Sequence, residues 1–250
     1  MADYSKLFGQ IKDNGIFILI SIAMMVLVYA IAFAAERWIE KKHHMQFSNE
    51  KTRVNKMVVI AMFSAMATVL MMFEIPLPFA PSFYKLDFSE IPVLIGGFMF
   101  GPTAGVVIEG IKILLKIVMK GTTTAFVGDF ANFVIGCGLV VPATIIYFIK
   151  KNRKSAIWGM IVGGLFMTVV GSMLNGYYLL PKFSELYGLP MNQLIQMGTV
   201  INPMIQSVGT MVAFAVVPFN LLKAVVVSVI TGALYKYVSR MIKGQHVEKF

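Results

Sequence analysis

Apolar and polar positions divide this chain into long hydrophobic runs separated by short breaks. The first run is GIFILISIAMMVLVYAIAFAA, residues 15–35, followed by a polar, basic stretch over 36–56. Further runs cover 57–73, 103–119, 126–149, 156–180 and about 202–235. A bilayer-crossing helix needs about 20 mostly apolar residues, so each run predicts a membrane helix. A shorter apolar piece, 90–101, ends at Gly101-Pro102, a pair that breaks a helix. This piece is short for a full crossing and is expected to be tilted or sheltered by protein. Residues 182–198 are amphipathic and predict a short surface element.

One break stands apart. LPFAPSFYKLDFSEIP, residues 77–92, holds prolines, aromatics and the charges Lys85, Asp87 and Glu90 between two apolar runs. Such a stiff, charged, aromatic loop needs a reason.

Charge supplies the topology. The formal net charge is +10, and the basic excess sits in residues 1–56, 150–154 and 236–250. Basic flanks of apolar helices mark the cytoplasmic side. An even number of crossings separates each pair of clusters when 57–73, 90–101, 103–119 and 126–149 are counted as four. Residue 1 then lies outside and the C-terminus in the cytoplasm. Ala32-Phe33-Ala34 resembles a signal-peptidase site. Cleavage there would put all three basic clusters outside, so the first run is read as a retained helix. The expectation is an all-α, multi-pass protein of the cell membrane. Its parts are an N-terminal helix (about 15–35) with a basic cytoplasmic linker to residue 56, a six-helix membrane domain over 57–240, and a cytoplasmic tail over 241–250. The loops 77–92, 120–125 and 181–200 share the outer face.

Composition agrees. Hydrophobic residues make up 58% of the chain and charged ones 14%, more apolar surface than a soluble domain of this length can bury. The basic residues flank membrane helices and form no separate domain. They suit anionic lipid headgroups and do not suggest a nucleic-acid partner. Cys137 is the lone cysteine and reads as a small buried residue.

Enzyme and metal signatures are missing. Gly96 to Gly101 has the glycine spacing of a phosphate loop, but Pro102 and Thr103 follow instead of Lys and Ser/Thr. His43 and His44 are adjacent, so they point about 100° apart on a helix and do not form a metal pair. No nucleophile–base set stands out. The informative residues are charges within apolar runs, which face a cavity or a partner because the hydrocarbon penalises them. Glu109 and Lys112 lie three apart on one face, which Lys116 extends; they suit an internal ion pair or a proton relay involving Asp129. Lys223 follows Asn220 by three residues, with Pro218 just before. Asp129, Asn132 and Asn175 add polar groups near the outer side. Each alone suits an interhelical hydrogen bond. Together, under an aromatic and proline-rich loop, they suit a small amphipathic ligand. Ala61 and Ala65 make a small-residue face that lets another helix approach, from a partner or from within the chain. Gly159, Gly163 and Gly164 make a similar face, read as internal.

The segment KLDFSEIPVLIGGFMFGPTAGVVIEGIKILL resembles riboflavin-specific substrate-binding (S) components of energy-coupling factor (ECF) transporters. PLPFAPSF, GDFANFVIG, NGYYLLP and PFNLLK are similar to segments of the same family, and the resemblance covers roughly 57–240. It implies a six-helix fold that binds one vitamin near the outer face and has no resident cofactor, riboflavin being the transported ligand. It implies docking on a transmembrane coupling protein and two cytoplasmic ATPase subunits, with Ala61 and Ala65 at the coupling-protein surface. Asn175, Asn220 and Lys223 match ligand-contacting positions. Leu77 to Lys85, including Pro78 and Phe79, match the loop that closes over the ligand. Asp129 stands where many relatives carry Glu, and the N-terminal helix is not part of the six-helix core. The implied ring contacts are Leu77, Phe79 and Phe83, and the implied ribityl partners are Asp129, Asn132 and Asn175. Another vitamin or flavin, such as flavin mononucleotide (FMN), stands as an alternative ligand, although a phosphate wants a cluster of donors and Lys85 is alone. An ion-gradient-driven flavin transporter stands as an alternative mechanism.

Overall fold

The computed structural model describes residues 15–43, 50–122 and 124–244, so the expected N-terminal position outside and the tail beyond Gly244 lie outside the described residues. Helix α1 spans Gly15–His43 and α2 spans Glu50–Met72. A small hairpin follows, with strands β1 (Ile75–Pro76) and β2 (Lys85–Leu86) paired antiparallel, Ile75 opposite Leu86. Next come α3 (Glu90–Phe100), α4 (Pro102–Lys120), α5 (Val127–Lys150) and α6 (Arg153–Leu174). The short helices α7 (Leu180–Tyr187) and α8 (Met191–Thr199) lead to α9 (Val208–Met211) and α10 (Val217–Gly244). Among the described residues, five helical stretches are long and apolar enough to cross a membrane: Gly15–His43, Val54–Met72, Val127–Lys150, Arg153–Tyr187 and Val208–Leu234.

Helices α3 and α4 complete the core from inside. Every residue of α3 is buried, and it packs against α2, α4, α5 and α10. That burial explains how a helix of 11 residues persists at membrane depth: its short ends meet protein instead of lipid. Helix α4 buries Glu109, Lys112 and Lys116, so its charges also turn inward. The turn between α3 and α4 needs Gly101, whose φ of 105° disfavours a side chain. Two side chains hold it. The Lys56 ammonium donates to the last carbonyl of α3, on Phe100, at 3.2 Å. Glu36 of α1 accepts from the Thr103 amide at 3.1 Å and from the Thr103 hydroxyl. A cation at a helix C-terminus and an anion at an N-terminus each oppose the helix dipole. The N-terminal helix is thus bound to the core, with Ala32 and Ile39 fully buried.

Two departures from regular α-helix matter for the site. Residues Asn175–Leu179 and Val212–Val216 form π-turns, each ending two residues before a proline, Pro181 and Pro218. A proline clashes with the carbonyl four residues earlier. Those carbonyls belong to Tyr177 and Phe214, and both fall inside the widened turns. The run expected to end at Leu180 therefore continues as helix to Tyr187. The last run starts at Val208 and not near 202, because Ser207 and Thr210 close a capping box and Asn202 turns the chain before it. The amphipathic stretch 182–198 is two short helices, with Phe183, Leu194 and Gly198 turned inward.

Gly159, Gly163 and Gly164 are internal, as read from the sequence. A β-carbon on Gly159 would collide with the Ala143 carbonyl, and one on Gly163 with the Leu139 carbonyl. Helices α5 and α6 touch backbone to backbone there. Ala61 and Ala65 lie on the exposed face of α2, with Val58, Met62 and Val69.

Candidate ligand-binding site

A cavity of about 740 Å³ lies between the hairpin, the start of α5 and the short helices α7 and α8. A smaller one, about 140 Å³, continues it toward α6 and α10. Phe83, Lys85, Gly128, Asn132 and Phe183 line both. The volume falls within the usual range for small-molecule pockets.

The loop before α5 aims the polar side of the site. Ala125 and Phe126 hold left-handed backbone, with φ of 46° and 70°. Thr122 and Thr124 stabilise this turn: their hydroxyl oxygens accept from the Phe126 and Gly128 amides at 2.9 and 3.0 Å. Such uncommon conformations persist only where neighbours hold them. The turn places Asp129 in the first turn of α5. One Asp129 oxygen, Oδ1, accepts from Lys116 at 2.5 Å. The other, Oδ2, and Asn132 Oδ1 are buried with no hydrogen-bond partner, and both residues line the large cavity. Leaving buried acceptors unsatisfied costs about 1–3 kcal/mol each. They are the strongest sign of a ligand in the molecule.

The deeper side is built by the π-turns. Asn175 donates to the Gly171 carbonyl at 2.7 Å, and Asn220 donates to the Val216 carbonyl at 3.0 Å. Each asparagine is thus tied to its own helix, four residues back, where a π-turn begins or ends. Asn175 Oδ1 accepts from the Tyr84 hydroxyl at 2.7 Å. Tyr84 packs at 4.6 Å from Phe83 and 5.5 Å from Phe219, ring centre to ring centre. Asn175, Asn220 and Lys223 all line the small cavity.

Below them runs a buried charge network. Lys223 donates to Asp87 at 2.9 Å and pairs with Glu90 at 3.0 Å. Lys112 pairs with Glu109 at 2.5 Å and with Glu90 at 3.4 Å, and it donates to Ser89 at 3.0 Å. Ser89 in turn donates to Asp87. The Glu109–Lys112 pair read from its spacing is present, but Glu109 and Lys112 line neither cavity. Lys116, one turn further along the same face, pairs with Asp129 instead.

The structure brings together Lys85, Asp129, Asn132, Asn175, Asn220 and Lys223 of the expected ligand residues. It sets Leu77, Pro78 and Phe79 apart. Leu77 and Phe79 pack against the buried cluster that holds Tyr84, Leu180, Ile205, Met211 and Phe219, and line neither cavity. Lys85 pairs with Glu74 at 2.9 Å, which Lys120 also meets at 3.1 Å. Sequence reasoning missed Phe183, Tyr84 and Phe219 as walls, and Asp87 and Glu90 as partners of Lys223. The amphipathic pattern of 182–198 was the available signal for Phe183. For the partners of Lys223 the only signal was their being charged in an apolar chain.

Residues 55–235 match the family model for the substrate-specific component of ECF transporters. The chain belongs to that family. This S component is 34% identical over 188 residues to "Riboflavin transporter RibU" of Staphylococcus aureus (strain TCH60), covering 75% of the chain and 92% of that relative. It is 29% identical over 184 residues to "Riboflavin transporter FmnP" of Bacillus subtilis (strain 168), covering 73% and 91%. A solved S component of a bacterial ECF transporter superposes with a TM-score of 0.60 at 34% identity, covering 76% of this chain and 99% of that one. The protein is a multi-pass membrane transport subunit, not an enzyme. Helix α1 precedes the matched region.

Proposed function

We propose that this S component captures riboflavin at the outer face of the cell membrane and delivers it to the cytoplasm from an ATP-driven ECF module. The observation that carries the reading is the pair of buried, unpartnered acceptors on Asp129 and Asn132 beside the Phe83 and Phe183 rings. Riboflavin offers a matching pair of features. Its ribityl hydroxyls donate to such acceptors, and its flat, apolar ring packs against the Phe83–Phe183 pair. Asn220 and Lys223 supply amide and ammonium groups for the polar edge of the ring, and Asn175 adds an amide for the ribityl chain. The hairpin is the lid, its tip anchored by Leu77 and Phe79 while Phe83 and Tyr84 face the ligand. The names of the relatives as riboflavin transporters support the same ligand.

Charge favours riboflavin over FMN. Glu74, Asp87 and Asp129 line the large cavity with Lys85 and Lys116, and both lysines are already paired. A phosphate would meet more carboxylate than free cation.

The basic clusters set the orientation, with residues 150–154 cytoplasmic and the cavity outward. The exposed small-residue face of Ala61 and Ala65 suits the transmembrane coupling protein, which carries the two ATPases.

Titration of the purified protein with riboflavin, read by quenching of flavin fluorescence, tests the ligand. Tight, saturable quenching is expected, with FMN weaker. Asn132→Ala is expected to weaken riboflavin by about 1–3 kcal/mol. A protein that ignores riboflavin overturns the ligand. Uptake that persists without the ATPase subunits overturns the coupling and favours an ion gradient.

A further inference from the structure

A second recess lies between α6 and α10 and shares no residue with either cavity. Ile157, Ile161 and Leu165 form one wall and Leu221, Val225 and Val229 the other, around about 440 Å³. All six side chains are exposed. The groove exists because Gly164, Ala224 and Gly232 leave room between the walls. At 1.5 Å rise per residue the lining runs for about 12 Å along α6 and about 16 Å along α10. A groove of this length, walled on both sides by aliphatic side chains, suits an acyl chain.

One end of the groove is charged. Arg153 precedes Ile157 by four residues and so shares its face of α6, with Lys154 beside it. Both are exposed, and neither has an ion-pair partner among the described residues. Asn152 caps the helix by accepting from the Ser155 amide at 2.8 Å, which fixes the two cations in the first turn. Cations there are repelled by the positive end of the helix dipole, and an anion alongside them relieves that. Lys150 and Lys151 add to the same cluster.

We propose that an anionic phospholipid occupies this groove, one acyl chain lying between α6 and α10 and its phosphate resting against Arg153 and Lys154. Basic sites between membrane helices recognise such headgroups. The apolar walls hold the tail, and the cations select the head.

Native mass spectrometry of the full chain in detergent, with equal phosphatidylglycerol and phosphatidylcholine of matched tails, tests this. Retention of about one lipid per chain is expected, with phosphatidylglycerol favoured about tenfold. Arg153→Ala with Lys154→Ala removes the preference. Gly232→Leu lowers retention of both lipids, since its β-carbon meets only the flexible end of Met160, at 3.8 Å, and its branches fill the groove. Size-exclusion profiles check that the variants fold, and the double variant suffices if Gly232→Leu does not. Equal retention of the two lipids by the unaltered chain means an adventitious tail only and overturns the proposal. A folded double variant that keeps the preference overturns it as well.

Discussion

Helix α6 meets its surroundings in two opposite ways along its length. In its first half Gly159 and Gly163 press against carbonyls of α5, with no room for a methyl group. At its far end it widens into a π-turn, ties Asn175 back to Gly171, and borders the ligand cavity. The first region is dry, close-packed backbone. The second sets polar side chains against a cavity, with Asn175 tied to Gly171 and Tyr84. The difference teaches how the molecule divides its labour: a rigid seam fixes the helices, and irregular backbone above it carries recognition. Irregular backbone is tolerated at membrane depth only where protein or a cavity surrounds it, and the site meets that condition.

The sharpest test of this division is Lys223→Ala. The change strips Asp87 of its lysine and leaves Glu90 only the longer pair with Lys112, and it is expected to cost about 3–5 kcal/mol of stability, along with riboflavin affinity. Thermal unfolding in detergent and fluorescence titration read the two effects separately. Lys223→Met with Asp87→Asn is expected to recover part of the stability and none of the affinity. Recovery of both would mean that Lys223 serves packing alone.

Gly163→Leu probes the other region. Overpacking against the α5 backbone is expected to cost about 1–3 kcal/mol of stability. The fraction that folds keeps its riboflavin affinity, because the seam lies apart from the cavity. A folded variant with weakened binding would break the proposed separation of frame and site.

Smaller effects follow at the edges. Glu36→Ala removes the cap on α4 and is expected to cost about 1 kcal/mol, within the usual range for such caps. The same change should leave affinity untouched, and a titration checks this. The smallest effect is a pH dependence in the hairpin. Burial alone would raise the Glu74 carboxyl, but hydrogen bonds and charge from Lys85 and Lys120 outweigh it and hold it below its ordinary value of 4.5. A depressed carboxyl stabilises the folded state fully above that value, and its contribution is lost as pH falls through the lower folded value. Glu74 is partly exposed, so the loss is expected to stay under about 1 kcal/mol. Hydrogen exchange of residues 74–86 at falling pH measures it, and Glu74→Gln should flatten the response.

Much of the frame was legible in the sequence. Length and apolarity announced the membrane helices, Gly101-Pro102 announced the turn, and glycines at helical spacing announced the seam. These features are local: a run, a dipeptide, a period. The site was legible only in part. Asp129, Asn132, Asn175, Asn220 and Lys223 stood out because polar groups are rare in apolar runs, and all five reach the cavities. Leu77 and Phe79 carried the right chemistry for a flat ring, yet they anchor the hairpin instead. Their neighbours Phe83 and Tyr84, of the same chemistry, turn toward the ligand site. Nothing in the composition of the loop separates the two pairs, because the choice depends on which surface the hairpin meets.

The sequence by itself determined that this chain lives in a membrane, which runs form its helices, and which residues are too polar to face lipid. Those are consequences of transfer energies and backbone sterics, which act on a few residues at a time. Only the tertiary structure decided the partners. Lys223 meets Asp87, which lies 136 residues away, and Phe183 meets Phe83 edge to face, ring centres 6.2 Å apart, in the cavity wall. Such pairings are set by how whole helices pack, and packing depends on every contact at once.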